Sequence, residues 1–281
     1  MAMTKEQSVE VLKNGIAKLS TSEAFLEYLT FSAKFHQYSL HNALLIMAQT
    51  QGKATAVAGF NKWRDEFGRF VKKGETGLAI WAPLFKKEER ADGTKRDALI
   101  GFRVVYVFDV NQTEGKPLPE RVAPRKLLGE DGGLYDVLAQ HVTDSGLTLE
   151  VKKLDGENGH YSKLEKAIRI EETLPSALQR FKTLAHEVAH WKLHSDEQGE
   201  ALTRSAKETE AEAAAFLVLA HFGFRADEYS FAYIADWTRG NLQTLEKSLA
   251  RIKRGADAVI EAIESRLPEV LTAADVEAAI A

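Results

Sequence analysis

Two histidines four residues apart, with a glutamate directly after the first, stand in the run His186-Glu187-Val188-Ala189-His190. On a helix, at about 100° per residue, such a pair lies about 40° apart on one face, one turn above the other. Two imidazoles so placed can grip one metal ion. Glu187, the next residue round, can then reach a water on that metal and act as its general base. The chain contains no cysteine, so any metal is held by His, Asp or Glu, and thiol nucleophiles and disulfides are excluded. A later run, Lys207 to Phe216, offers three glutamates. A helical projection puts Glu208, Glu212, Ala211 and Ala215 on one face and Glu210 on the far side. Small alanines suit close approach to the histidine helix. Glu208 is therefore expected as third ligand in preference to Glu212 and Glu210, with Glu212 orienting a ligand histidine from behind. His194 reads as a residue behind the site or in solvent, not as a ligand. Three protein ligands leave one position for water, whose pKa zinc lowers towards about 7; manganese or cobalt suits the same donors.

The elements that must position these groups follow from periodicity. Helices are expected at about 175–194, 200–221 and 241–266, with a short one at the end. Before them come a helix near 133–142 and strands near 147–153 and 167–171. The strand Ala167 to Ile170 offers an edge to which an extended peptide could pair. Residues 5–51 read as helices, with Val9, Leu12, Ile16 and Leu19 at helical spacing. Leu78 to Ala82 and Phe102 to Phe108 read as strands joined by a long polar hairpin loop, 86–98. Residues 111–126 hold three of the six prolines and are the best linker candidate. The fold class is α+β: an N-terminal α+β domain, 1–120, then a mainly helical domain with a small sheet, 121–281.

The 281 residues, 44% hydrophobic and 28% charged, have the composition of a folded globular chain of two ordinary domains. The net charge of -4 hides an asymmetry. Residues 1–125 carry 19 Lys+Arg against 14 Asp+Glu, whereas residues 126–281 carry 18 against 27. A basic half and an acidic half suggest different partners. No apolar signal core and no stretch of about 18 apolar residues occurs, so the expectation is a cytoplasmic protein without a membrane partner.

The run HEVAHWKLH followed by ETEAEAAAF resembles the ImmA/IrrE-type zincin metallopeptidases. Those usually have Gly before the second His, where Ala189 stands here. YSLHNALLIMAQ (38–49), VAGFNKWRDEFGRFVKKGETGLAIWAP (57–83) and GFRVVYVFDVNQTEGKPLP (101–119) resemble the N-terminal domain of ArdC-type antirestriction proteins, which join it to a zincin-like domain in this order. The resemblance implies single-stranded DNA binding by the N-terminal domain and protection of incoming plasmid DNA from restriction during conjugation. It also carries His186, Glu187, His190 and Glu208 over as the metal-site residues.

Single strands are held by cationic grooves with aromatic platforms. Residues 60–73 interleave aromatics with Lys62, Arg64, Arg69, Lys72 and Lys73. Phe67 and Phe70, at helical spacing, are expected in the core; Trp63 is the stacking candidate, and Lys72 and Lys73, before a Gly turn, face either solvent or phosphates. Tyr38, His41 and Asn42 either cap a helix or touch nucleic acid. Three functions remain open: a DNA-protecting antirestriction protein, a regulatory metallopeptidase that cuts a DNA-associated protein or peptide, and a binding module whose zinc is structural.

Overall fold

Thr4 and Gln7 form a capping box that starts the first helix, α1 (Lys5–Lys18). Thr21 and Ser39 cap α2 (Ser22–Ala33) and α3 (Leu40–Thr50) through their side-chain oxygens. The computed structural model describes residues 3–19, 21–35, 37–89, 95–118, 131–196, 202–224 and 242–267. The chain divides into two compact units, Met1–Arg121 with Tyr233–Glu246 and Val122–Ala232 with Lys247–Ala281.

In the first unit, β1 (Val57–Gly59), α4 (Phe60–Asp65) and β2 (Arg69–Val71) precede a long hairpin, β3 (Leu78–Glu89) and β4 (Lys95–Asp109). The sheet order is β1-β4-β3, all antiparallel. One face of the hairpin, with Leu78, Ile80 and Val107, packs on Phe31 of α2, Phe35 just beyond it and Ile46 of α3. The outer edge of β3 is sealed by two carboxamides of α3. Asn42 bonds both the N–H and the C=O of Trp81, at 2.8 and 2.9 Å. Gln49 does the same at Ala79, at 2.8 and 2.9 Å. Two side chains thus stand in for a neighbouring strand and blunt an edge that would otherwise pair with another chain. At the start of α3, Ser39 caps the helix, Asn42 holds the sheet edge, and the Tyr38 hydroxyl donates to the Val57 carbonyl.

Several expectations are corrected here. The polar stretch 86–98 is strand for most of its length, because the hairpin runs on past the core with both faces wet. An exposed cross-strand pair, Arg96 to Glu88 at 3.2 Å, marks that part. Phe70 lies on β2, not on a helix, and is exposed. Residues 113–115, read as linker, form β5 (Thr113–Gly115) against β2. The rest of that stretch from 119 and the expected terminal helix lie outside the described residues.

Trp63 is only 1% exposed, with its indole N–H donated to the Phe108 carbonyl at 2.8 Å, so it cannot serve as a platform for a base. Its aromatic mass belongs to the core, and Trp63→Ala is expected to cost about 3–5 kcal/mol in urea unfolding. A variant that lost DNA binding at unchanged stability would contradict that reading. Arg69 is likewise structural. Its guanidinium donates to Thr113 Oγ1 at 2.8 Å, to the Thr113 carbonyl at 3.0 Å and to the Lys116 carbonyl, tying β2 to β5. Lys62, Arg64, Lys72 and Lys73 are at the surface.

The second unit begins with α5 (Leu134–Asp144), followed by β6 (Thr148–Lys152), β7 (Gly159–Ser162) and β8 (Ala167–Glu171). The order is β6-β8-β7, with β6 parallel and β7 antiparallel to β8. Next come α6 (Ala177–His194), α7 (Arg204–His221) and α8 (Leu242–Glu264), the last belonging to this unit from Lys247 onward. The strand expected to offer a peptide edge, β8, is central and paired on both sides. The edges are β6 and β7, the latter outside the strands expected from the sequence. Only four residues long and rich in Gly, His and Ser, β7 lacks the β-branched alternation that signals a strand.

Candidate metal centre

Ser176 caps α6, accepting from the Gln179 N–H at 3.1 Å. Phe181, Leu184, Ala185, Val188 and Ala189 then bury one side of the helix completely. Ala189 is among these wholly buried residues. The opposite side carries the histidines. α7 lies against it, and its alanines 211, 213, 214 and 215 are fully buried, so short side chains bring the two helices close.

This packing brings His186, His190 and Glu208 together. The two histidine Nε2 atoms are 3.1 Å apart, and Glu208 Oε2 is 3.5 Å from each. Among the described residues this is the only group of three or more His, Asp or Glu side chains whose donor atoms converge in this way. Metal–ligand bonds of about 2.1 Å in a tetrahedron put donor atoms about 3.4 Å apart. The donor set therefore fits a divalent ion such as zinc in both chemistry and spacing. Glu212 sits behind His186, with Oε2 at 3.0 Å from Nδ1, and Lys182 lies 3.5 Å from its other oxygen. Glu187 points to the cleft side beside β7 and receives the backbone N–H of Tyr161. Gly159 allows that approach: a Cβ there would stand 2.6 Å from Thr183 Cγ2 and 2.9 Å from Glu187 Oε1. The cleft of about 910 Å³ is lined by β7, the metal group, Lys182, Arg204 and Lys207.

The electrostatics follow from burial and pairing. Burial pushes the Glu187 carboxyl up to about 7, with the His186 charge opposing it. At His186 burial works against the cation. Hydrogen bonds donated to Glu208 and Glu212, with the nearby charge of Glu187, outweigh it and raise the imidazole to about 9. Glu208, beside both histidines, is held well below the carboxylate range, and burial lowers His190. A metal must therefore displace a proton from His186 near neutral pH. Apparent affinity is expected to rise roughly tenfold per pH unit between about 7 and 9 and to level off above. Calorimetry in two buffers of different ionisation enthalpy should report about one proton released at pH 7.5; none released would refute it.

The sequence reading missed the role of Glu210. It does lie on the far side of α7, yet it is wholly buried, not solvated. The signal was available: residues 211 and 213–219 are apolar on every side of α7, the mark of an interior helix in which a lone carboxylate must be paired.

A His-Glu-x-x-His helix packed on a glutamate-bearing helix beside a small mixed sheet defines a zincin-like, metallopeptidase-type domain. Residues 6–111 match the family model for the N-terminal domain of anti-restriction factor ArdC. Residues 142–251 match the peptidase family described as IrrE N-terminal-like domain. The chain is of the ArdC antirestriction type, an ArdC-like N-terminal domain followed by an IrrE-like domain. It is similar in structure to the antirestriction ArdC protein from the R388 plasmid. The metal-free form gives a TM-score of 0.52 at 20% identity over 81% of this chain and 86% of that one. The Mn(II)-bound form gives 0.51 at 20% identity, over 82% and 86%. An uncharacterized Bacillus anthracis protein is 25% identical over 95% of this chain and 52% of its own length, so the chain spans about half of that curated relative.

Proposed function

We propose that this chain is an antirestriction protein that binds single-stranded DNA through residues 1–120 and carries a zinc peptidase-like centre in residues 121–281. The observation that carries the reading is the convergence of His186, His190 and Glu208 in a chain whose first domain matches that of an anti-restriction factor. Zinc is the proposed ion, with manganese or cobalt as substitutes; the Mn(II)-bound R388 protein supports a divalent ion of this kind. The cytoplasm, where incoming plasmid DNA meets restriction, is the proposed location. No helix among the described residues is long and apolar enough to cross a membrane.

His186, His190 and Glu208 would hold the ion, which when bound supplies a Lewis acid that polarises a carbonyl and acidifies water. Glu187, raised to about 7, is poised to take a proton near neutral pH and return it to a leaving amine. The free edge of β7, three residues of which line the cleft, can hold an extended peptide by main-chain hydrogen bonds. On the DNA side the candidates are Lys62, Arg64, Lys72 and Lys73, all exposed, together with the exposed rings of Phe60 and Phe70. A second reading, an IrrE-like regulatory peptidase that cuts a DNA-associated protein, is favoured by the buried, complete setting of Glu187.

Metal analysis of the purified chain, combined with a titration of an unlabelled-sequence single strand at several salt concentrations, tests the proposal. Expected are about one divalent ion per chain and binding that weakens steeply with salt. Absence of binding at low salt would remove the DNA role. Protection of DNA that survives Glu187→Ala supports the first reading, and protection that is lost supports the second.

A further inference from the structure

Behind His190, away from the cleft, lies a chain of buried polar groups that the ligand set does not include. His190 Nδ1 is 3.0 Å from His194 Nδ1. His194 Nε2 is 3.2 Å from Glu210 Oε2. Ser248 Oγ donates to Glu210 Oε1 at 2.5 Å, and Arg251 grips the same carboxylate, with Nη2 2.5 Å from Oε1 and Nε 2.9 Å from Oε2. The His194 and Glu210 side chains are 4% and 0% exposed, so no solvent intervenes.

Each link leaves one arrangement of hydrogens. Glu210, buried and gripped by Arg251, is a carboxylate and only accepts. His194 must then carry its hydrogen on Nε2 to meet it. With that hydrogen on Nε2, the Nδ1 of His194 is left to accept. His190 must therefore carry its hydrogen on Nδ1, and this leaves Nε2, the atom facing His186 and Glu208, with its lone pair free.

We propose that His194, Glu210, Arg251 and Ser248 form a buried positioning chain that fixes the tautomer and ring angle of His190 so that Nε2 is presented to the metal. The two ligand histidines are thus held differently. His186 leans directly on the Glu212 carboxylate, whereas His190 reaches its carboxylate through an intervening imidazole. The chain also ties the metal centre to α8, some 60 residues downstream of the motif helix, through Ser248 and Arg251.

The proposal rests on the metal-centre reading, and the experiment separates the two. In the full chain without metal, long-range proton–nitrogen NMR of the imidazoles should show His190 protonated on Nδ1 and His194 on Nε2. His190 protonated on Nε2 would overturn the proposal whether or not metal binds. His194→Leu removes the acceptor and should weaken zinc binding about 10–100-fold in chelator competition. His194→Asn, whose Oδ1 can stand where Nδ1 did, should recover most of that loss. Equal zinc affinity in wild type, His194→Leu and His194→Asn would also overturn it. A folded wild type that shows the proposed tautomers but takes no zinc would refute the metal centre and leave the positioning chain standing.

Discussion

Glu208→Ala is expected to lower zinc affinity by roughly 10²–10⁴-fold, the share of one ligand in the 10–16 kcal/mol typical of protein zinc sites. The same variant should stay folded. Glu208 is about half exposed, whereas the alanines beside it hold α7 in place, so its removal breaks no core contact. Its effect should also exceed that of Glu212→Ala. Glu212 lies 3.0 Å from His186 Nδ1, on the far side of the ring from the convergence point, and loses only an orienting contact worth about 10–100-fold. Glu208→Ala changes the metal-free protein in a second way. His186 owes its elevated value partly to Glu208, so without that carboxylate the imidazole titrates lower and competes less with the ion at neutral pH. The proton released on binding at pH 7.5 should therefore shrink in the variant. A variant that binds zinc as the wild type does would place the third ligand elsewhere, with Glu212 first in line.

The comparison of these two glutamates shows what the sequence could carry. Helical projection placed Glu208 and Glu212 on the face of α7 that meets α6, and the structure brings both to the histidines, because a helix converts spacing into direction. The rest depended on long-range pairing. Nothing local marks Gly159-His160-Tyr161-Ser162 as an edge strand; it is one because β8 has a second side to fill and because Gly159 lets β7 approach Glu187. Trp63 read as a base platform since basic residues surround it, but Lys62 and Arg64 lie on the outer side of a short helix whose inner side Trp63 occupies. Periodicity over 60–73 failed because that stretch changes from helix to strand at Gly68, so Phe67 and Phe70 do not share a face. The α+β class and the long helices were legible throughout, for the same reason that the site was.

Glu187→Gln should leave zinc and single-stranded DNA binding unchanged and reduce hydrolysis of a peptide library about 10²–10⁴-fold, the usual worth of a general base. Gln keeps the shape against Thr183 and Gly159 and still accepts the Tyr161 N–H, but it cannot take a proton. The substitution has a second expected consequence, on stability. Burial raises Glu187 from an ordinary value near 4.5 to about 7 in the fold. Between those values the folded chain holds a proton that the unfolded chain has released. Stability contributed by the neutral carboxyl is therefore complete below about 4.5 and is lost as pH rises through about 7. A neutral glutamine escapes that loss. The metal-free variant should melt at or above the wild-type temperature at pH 8, and the two should converge at pH 5. Such a gain on removing a group is the signature of a carboxylate kept buried for its chemistry. Melting below wild type at pH 8 would assign Glu187 to holding β7 on α6. Equal absence of hydrolysis in wild type and variant, with zinc bound in both, would make the metal structural and leave antirestriction to the DNA-binding domain.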